Sequence, residues 1–172
     1  MKNMRPDLAK QEEYYHQYIV LTSEEDPTEV LEVNLNHVLS FYRDLSEEQG
    51  DFAYEAGKWT IKDVLQHCID TERVFSYRAL SFARGELQSL PGFDHNEFAK
   101  NAKTENRSLR DMLEEFDAVR GATIQLYYSF TPEILVKTGV GGNNKTTVNG
   151  LAYIIAGHYN HHINILKERY LK

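Results

Sequence analysis

The stretch LAYIIAGHYNHHINILKERYL, residues 151–171, decides the fold. With Val148 just ahead of it, Leu151, Ile155, His158, His162, Ile165 and Arg169 step by 3, 4, 3, 4, 3 and 4 residues. That is the period of one face of an α-helix, not the alternation of a strand. The spacing predicts a helix over residues 147–170 that carries two histidines, one turn apart, on the face it buries. A buried polar group without a partner costs roughly 1–3 kcal/mol, so the two imidazoles need an explanation. Each can be hydrogen-bonded to a core hydroxyl or carboxylate. Alternatively the pair is half of a metal site, because histidines at i and i+4 form the short-spacer half of many zinc sites. The spacing alone leaves both readings open.

Three further helical stripes lie upstream. Leu31, Leu35, Val38, Tyr42 and Leu45 follow Asp26-Pro27-Thr28-Glu29, which offers an N-cap, a proline at the first helical position and a capping-box glutamate. Ile61, Val64, Cys68, Thr71, Phe75, Ala79 and Phe82 follow Thr60, with Asp63 three residues on and Gly85 placed to end the helix. Leu109, Met112, Phe116, Val119, Thr123, Leu126 and Phe130 follow Ser108, with Asp111 answering it and Thr131-Pro132 closing the run. Residues 86–103 read as a long connection with a short helix near 94–99, and residues 133–146, with Gly139, Gly141 and Gly142, read as a loop. The expected architecture is an all-α four-helix bundle whose long connections allow a crossover. Residues 1–25 form an N-terminal tail or short helix, and residues 26–172 one domain.

With 172 residues, the chain is long enough for a core that needs no staples. Its one cysteine gives no internal disulfide. The residues from Met1 to Asp7 lack the apolar core of a signal peptide, and no apolar run approaches the ~20 residues of a membrane span. A cytoplasmic location without membrane contact is therefore expected. Nineteen Lys and Arg against 26 Asp and Glu leave a formal charge of −7, which argues against nucleic acid as a partner.

Seven histidines are the informative residues. His67 flanks the inward face of the second helix and is the candidate third ligand beside His158 and His162. Three nitrogens would leave a coordination position free, as catalytic metals require. His161 sits towards the edge of the stripe as a boundary residue or alternative ligand. His16, His37 and His95 have no partner at metal spacing and read as surface or loop residues. Asp70, Glu72 and Arg78 near His67 read as a solvated or salt-bridged helix face, and Tyr127, Tyr128 and Tyr153 as core or boundary aromatics. Cys68 reads as a packed core thiol.

Several weaker patterns fail. Tyr159 follows His158, so there is no H-E-x-x-H peptidase motif. The run from Gly139 to Thr146 nearly spells a phosphate-binding loop, but Asn144 stands where the second glycine is required. Glu13-x-x-His16 is a single copy where a di-iron bundle needs two.

The segments KWTIKDVLQHCIDTERVFSYRAL (residues 58–80), RSLRDMLEEFDAVRGATIQLY (107–127) and residues 151–171 together resemble the DinB-like superfamily. The resemblance implies a four-helix bundle in which His67, His158 and His162 hold one divalent metal ion; imidazole ligands leave its identity open, with zinc or nickel expected ahead of iron or manganese. It also implies a homodimer. Characterised relatives include bacillithiol and mycothiol transferases and a mycothiol-dependent isomerase, and many members have no known reaction. The implied function is a metal-dependent transferase that activates a low-molecular-weight thiol against an electrophilic substrate. The alternatives are a metal-dependent hydrolase of a small substrate and a non-catalytic metal- or ligand-binding bundle. No catalytic or cofactor-binding residue beyond the three histidines is assigned.

Overall fold

A computed structural model describes residues 4–172, and the first three residues of the N-terminal segment lie outside it. Ahead of the bundle comes α1 (Glu13–Ile19). The bundle itself is α2 (Pro27–Arg43), α4 (Ile61–Ala83), α6 (Leu109–Tyr128) and α8 (Val148–Arg169). Between these run the short helices α3 (Glu47–Gly50), α5 (His95–Ala102) and α7 (Pro132–Leu135). A hairpin of β1 (Thr138–Gly141) and β2 (Asn144–Thr147) precedes α8.

Local chemistry sets the ends of the long helices. Asp26 caps α2 by accepting from the Thr28 and Glu29 amides. Thr60 and Asp63 form the expected reciprocal capping box on α4. At α6 only the first half of the expected box forms. Ser108 accepts from the Asp111 amide, while the Asp111 carboxylate turns to the Arg107 guanidinium at 2.7 Å. Gly85, at φ 93°, ends α4 in the left-handed region that glycine enters without strain.

Each long helix packs on two others: α2 and α4 both contact α6 and α8. The directions follow from pairs of contacts. Asn34 reaches Ala156 while Lys167 lies over the Phe41 ring, so α2 and α8 run parallel. Gln66 meets Arg107 while Glu72 meets Arg120, so α4 and α6 also run parallel. Successive parallel neighbours need a crossover, and residues 84–108 supply it. The crossover is pinned to the hairpin by Leu90, whose amide donates to the Val140 carbonyl and whose carbonyl accepts from the Gly142 amide.

The stripes are largely the core: every stripe residue of α4 is buried. Up to Tyr159, α8 is buried all round because α1 covers the face that the bundle leaves free. Gly157 makes that approach possible, since a Cβ there would stand 2.0 Å from the Tyr18 carbonyl oxygen. Gly157→Ala is expected to force α1 away at a cost of about 1–3 kcal/mol. A thermal melt measures this, and an unchanged midpoint would contradict the contact.

The hairpin corrects the reading of residues 133–146 as a loop without strands. Gly142 and Asn143 both take positive φ, 59° and 72°, as a two-residue hairpin turn requires. Gly139 and Gly141 are glycines because the hairpin lies directly on α4. A Cβ on Gly139 would sit 2.1 Å from the Phe82 ring, and one on Gly141 2.5 Å from Arg78 Nε. The phosphate-loop look-alike is thus a close-packed turn.

Candidate metal centre

On α4, His67 lies on the turn after the capped N-terminus, and on α8, His158 and His162 occupy successive turns. The antiparallel pairing of α4 with α8 turns the three rings to one point. The Nε2 atom of His158 is 3.1 Å from that of His67 and 3.1 Å from that of His162. One ligand nitrogen from each of the three falls within 4.8 Å of the others. His158 is buried, and His67 and His162 are partly covered. Of the two readings open at the spacing level, these distances bear on the second.

One imidazole nitrogen carries either one proton or one lone pair. His158 Nε2 therefore cannot make full hydrogen bonds to both neighbours, and hydrogen bonding among the rings leaves one close nitrogen pair unmatched. A shared cation matches all three. Two nitrogens roughly 2.0–2.1 Å from one ion, at angles from octahedral to tetrahedral, stand roughly 2.9–3.4 Å apart, and both 3.1 Å separations fall in that range. Burial, reinforced by His95, holds His67 down to about 4. Burial, reinforced by His67, His161 and His95, holds His162 down to about 3. Burial and the neighbouring imidazoles also hold His158 well below the ordinary value. The three rings are neutral at pH 7, the form that ligates a metal. The donor set fits a divalent cation.

The trio lines a cavity of about 350 Å³. Tyr14, Tyr15 and Tyr18 of α1 form one wall. Trp59, Phe75 and Phe93 supply further aromatic surface, and the Trp59 ring lies 5.0 Å from that of His67. Gly141, Gly142 and Asn144 of the hairpin close another side. Among the described residues no aspartate, glutamate or cysteine lines it. Cys68 is buried in the core as expected, and burial pushes its thiol up.

Two other histidines reach this cavity. His161 stands edge-on to Tyr18 and His162, with ring centres 5.5 and 5.3 Å away, and lies outside the ligand trio. His95, read from sequence as a loop residue, opens α5 and faces His67 at 5.7 Å between ring centres. Only the crossover brings it there. The one earlier signal was Asp94, which caps α5 by accepting from the Asn96 and Glu97 amides. His37 and His16 lie elsewhere: His37 meets Asn160, and His16 meets the Leu8 and Gln11 carbonyls.

Of the reading of Glu72 and Arg78 as a solvated or salt-bridged helix face, the solvated alternative is corrected, since both are buried, while Glu72 is salt-bridged. Glu72 takes a two-pronged bond from Arg120 in the core, at 2.8 and 3.0 Å. Arg78 lines the cavity. Asp70 is half-buried and accepts from Gln66. Tyr127 donates to the Val148 carbonyl and Tyr128 to Glu32, while the cavity's tyrosines come from α1, where weak periodicity hid them.

A four-helix bundle with parallel α4 and α6, and imidazoles from its second and fourth long helices meeting at a cavity, defines a class of candidate metal-binding proteins. The chain belongs to the DinB superfamily, whose sequence profile matches residues 30–166. Among solved structures it is similar to YfiT from Bacillus subtilis, described as "a probable metal-dependent hydrolase with an unusual four-helix bundle topology". The TM-score is 0.73 at 17% identity, covering 83% of this chain and 82% of the other, a likeness of fold. No curated protein matches the chain in sequence. No helix among the described residues is long and apolar enough to cross a membrane.

Proposed function

We propose that this protein is a metal-dependent enzyme in which His67, His158 and His162 hold one divalent cation through Nε2. The proposed reaction transfers a low-molecular-weight thiol to a small electrophile. The observation that carries the metal reading is the convergence of three neutral imidazoles in the lining of a cavity large enough for a substrate. A bound cation would supply a positive charge that acidifies a thiol or water presented to it. The chain's own residues supply the rest. The aromatic walls hold the apolar part of a substrate and limit water. His161 and His95 lie outside the trio and within reach of the cavity, so either can accept a proton. The only cysteine is in the core and no thiol lines the cavity, so the sulfur of a transfer reaction must come from solution.

Hydrolysis of a small substrate is the second reading, favoured by those same two imidazoles, which can take a proton from water. The separating experiment incubates zinc- or nickel-loaded protein with a low-molecular-weight thiol and 1-chloro-2,4-dinitrobenzene, and in parallel with 4-nitrophenyl acetate. Thiol transfer above background supports the first reading. Metal-dependent ester cleavage alone moves the assignment to the second. Three imidazoles suit zinc or nickel, with iron and manganese the other candidates. The homodimer that accompanies the superfamily reading is tested by equilibrium sedimentation, and a monomer at assay concentration removes it.

Proton competition gives the site a characteristic pH profile. With His67 at about 4 and His162 at about 3, protons compete for the site only in strong acid. Apparent zinc affinity is expected to change by no more than about threefold from pH 7.5 to 5 and to fall steeply below pH 4. Equilibrium dialysis at fixed zinc measures it. A steep loss already between pH 7 and 6, as ordinary imidazoles would give, contradicts the buried site. The stability of the metal-free fold responds over a higher pH window. Its imidazoles have pKa values below the unfolded value near 6.5, so the unfolded chain binds more protons. Stability present above that value is lost as pH falls towards about 4 and then about 3.

A further inference from the structure

The fold holds two deeply buried arginines, and they are treated in opposite ways. Arg120, fully buried, is saturated: Nε and Nη2 donate to the Glu72 carboxylate, and Nη1 donates to the Leu31 carbonyl and Asn34 Oδ1. Arg78, 4% exposed, has a hydrogen bond from Nη2 to the Pro91 carbonyl at 3.1 Å, and its Nε–H is buried without a partner. Among the described residues no carboxylate pairs with Arg78. The Tyr15 phenol is within hydrogen-bond reach of its guanidinium, but burial pushes that phenol up and so keeps it neutral, and it brings no counter-charge. A guanidinium stays charged at any physiological pH, so this wall of the cavity carries an uncompensated positive charge.

A second orphan lies on the same helix face. Thr71, one turn on from His67 and two turns before Arg78, is 4% exposed, and its Oγ1 has no partner. Both residues line the cavity that the imidazole trio also lines. The chain spends unusual backbone on keeping Arg78 there. Gly141 crosses its side chain where any Cβ would collide with Nε, and Gly142 packs against Gly92 beside Nη2. Burying an unpaired charge costs several kcal/mol unless a counter-charge arrives, and the lining residues offer none.

We propose that the substrate, or the thiol co-substrate, carries a carboxylate that pairs with Arg78 in the cavity that the imidazole trio also lines, with Thr71, between Arg78 and His67 along α4, donating to the same bound molecule. A planar monoanion is the matching chemistry, because Arg78 is the one permanently charged group among the described residues of the lining and a guanidinium presents its donors in a plane. The role is positioning: the anion is held at Arg78, about three turns along α4 from His67, so that the reacting atom lies at the histidines. This inference rests on reading the cavity as the reaction site, but its test does not depend on a metal.

The test uses Trp59, the single tryptophan, which lines the cavity. 4-Nitrobenzoate and its neutral counterpart 4-nitrobenzamide are titrated into metal-free protein, and quenching of Trp59 fluorescence is read. The carboxylate is expected to bind about tenfold or more tightly than the amide, and Arg78→Met to erase the preference. Arg78→Lys is expected to retain part of it, and Thr71→Val to lower it without removing it. Equal binding of the two probes to the wild type, or a preference that survives in Arg78→Met, overturns the proposal. If Arg78→Met does not fold, the wild type decides. The Nε–H proton resonance of Arg78 should shift with the carboxylate and not with the amide, while that of Arg120 stays fixed; no Arg78 shift overturns the proposal. Zinc titration of the same samples separates the two readings. Loss of zinc binding in wild type would defeat the metal reading and leave the anion preference standing. Zinc binding without the preference would do the reverse.

Discussion

Replacing His158 with alanine is expected to abolish stoichiometric metal binding, with affinity falling by more than about 100-fold. Losing a group that merely supports a ligand already costs 10–100-fold, and His158 is the central member of the trio, 3.1 Å from each of the others. The measurement is metal content after loading with zinc or nickel and dialysis, with wild type alongside. His158 is buried, so part of any loss can come from packing. His67→Ala, at a less buried position, is the companion variant, expected to lose metal while keeping its helical circular dichroism. Wild type that holds no divalent metal after loading would end the metal reading. A His158→Ala protein that retains a full equivalent would remove that residue from the ligand set.

The second large effect is on stability. Arg120 ties α6 to α4 through Glu72 and to α2 through the Leu31 carbonyl and Asn34, all out of contact with water. Glu72→Ala leaves the guanidinium buried against the Phe116 and Tyr159 rings without its counter-charge. Breaking such a pair from one side costs about 3–5 kcal/mol, or roughly 6–20 °C of melting temperature for a chain of this size. The double variant Glu72→Leu with Arg120→Met removes both charges and is expected to be more stable than Glu72→Ala. Thermal unfolding of the three proteins gives the answer. A Glu72→Ala variant within about 1 kcal/mol of wild type would mean that water reaches the pair.

The bundle and the His158–His162 pair were legible because both are written in local spacing, while His67 was a candidate from its place beside the inward face of the second helix and from the family resemblance. The stripes on α2, α4, α6 and α8 repeat with the helical period, and the i,i+4 pair on α8 needs only 3.6 residues per turn to be seen. What was not legible depends on distant partners. The strands of the hairpin are four residues each, too short to display alternation, and glycines that read as loop are there for close approach to Phe82 and Arg78. Glu72 and Arg78 looked like surface charges because no local pattern shows that α6 buries one and that the hairpin and crossover cover the other. His95 lacked a partner at metal spacing because its neighbours, His67 and Trp59, are 28 and 36 positions away in the chain.

The separation of the ligands along the chain also governs when the site can exist. His67 and His158 are 91 positions apart and meet only through the packing of α4 on α8. During synthesis the ribosome releases α2, α4 and α6 before α8, so an emerging chain presents one of the three nitrogens and cannot capture an ion in this geometry. Metal would add its stabilisation only to chains whose final helix has docked, and its uptake would therefore report completed assembly.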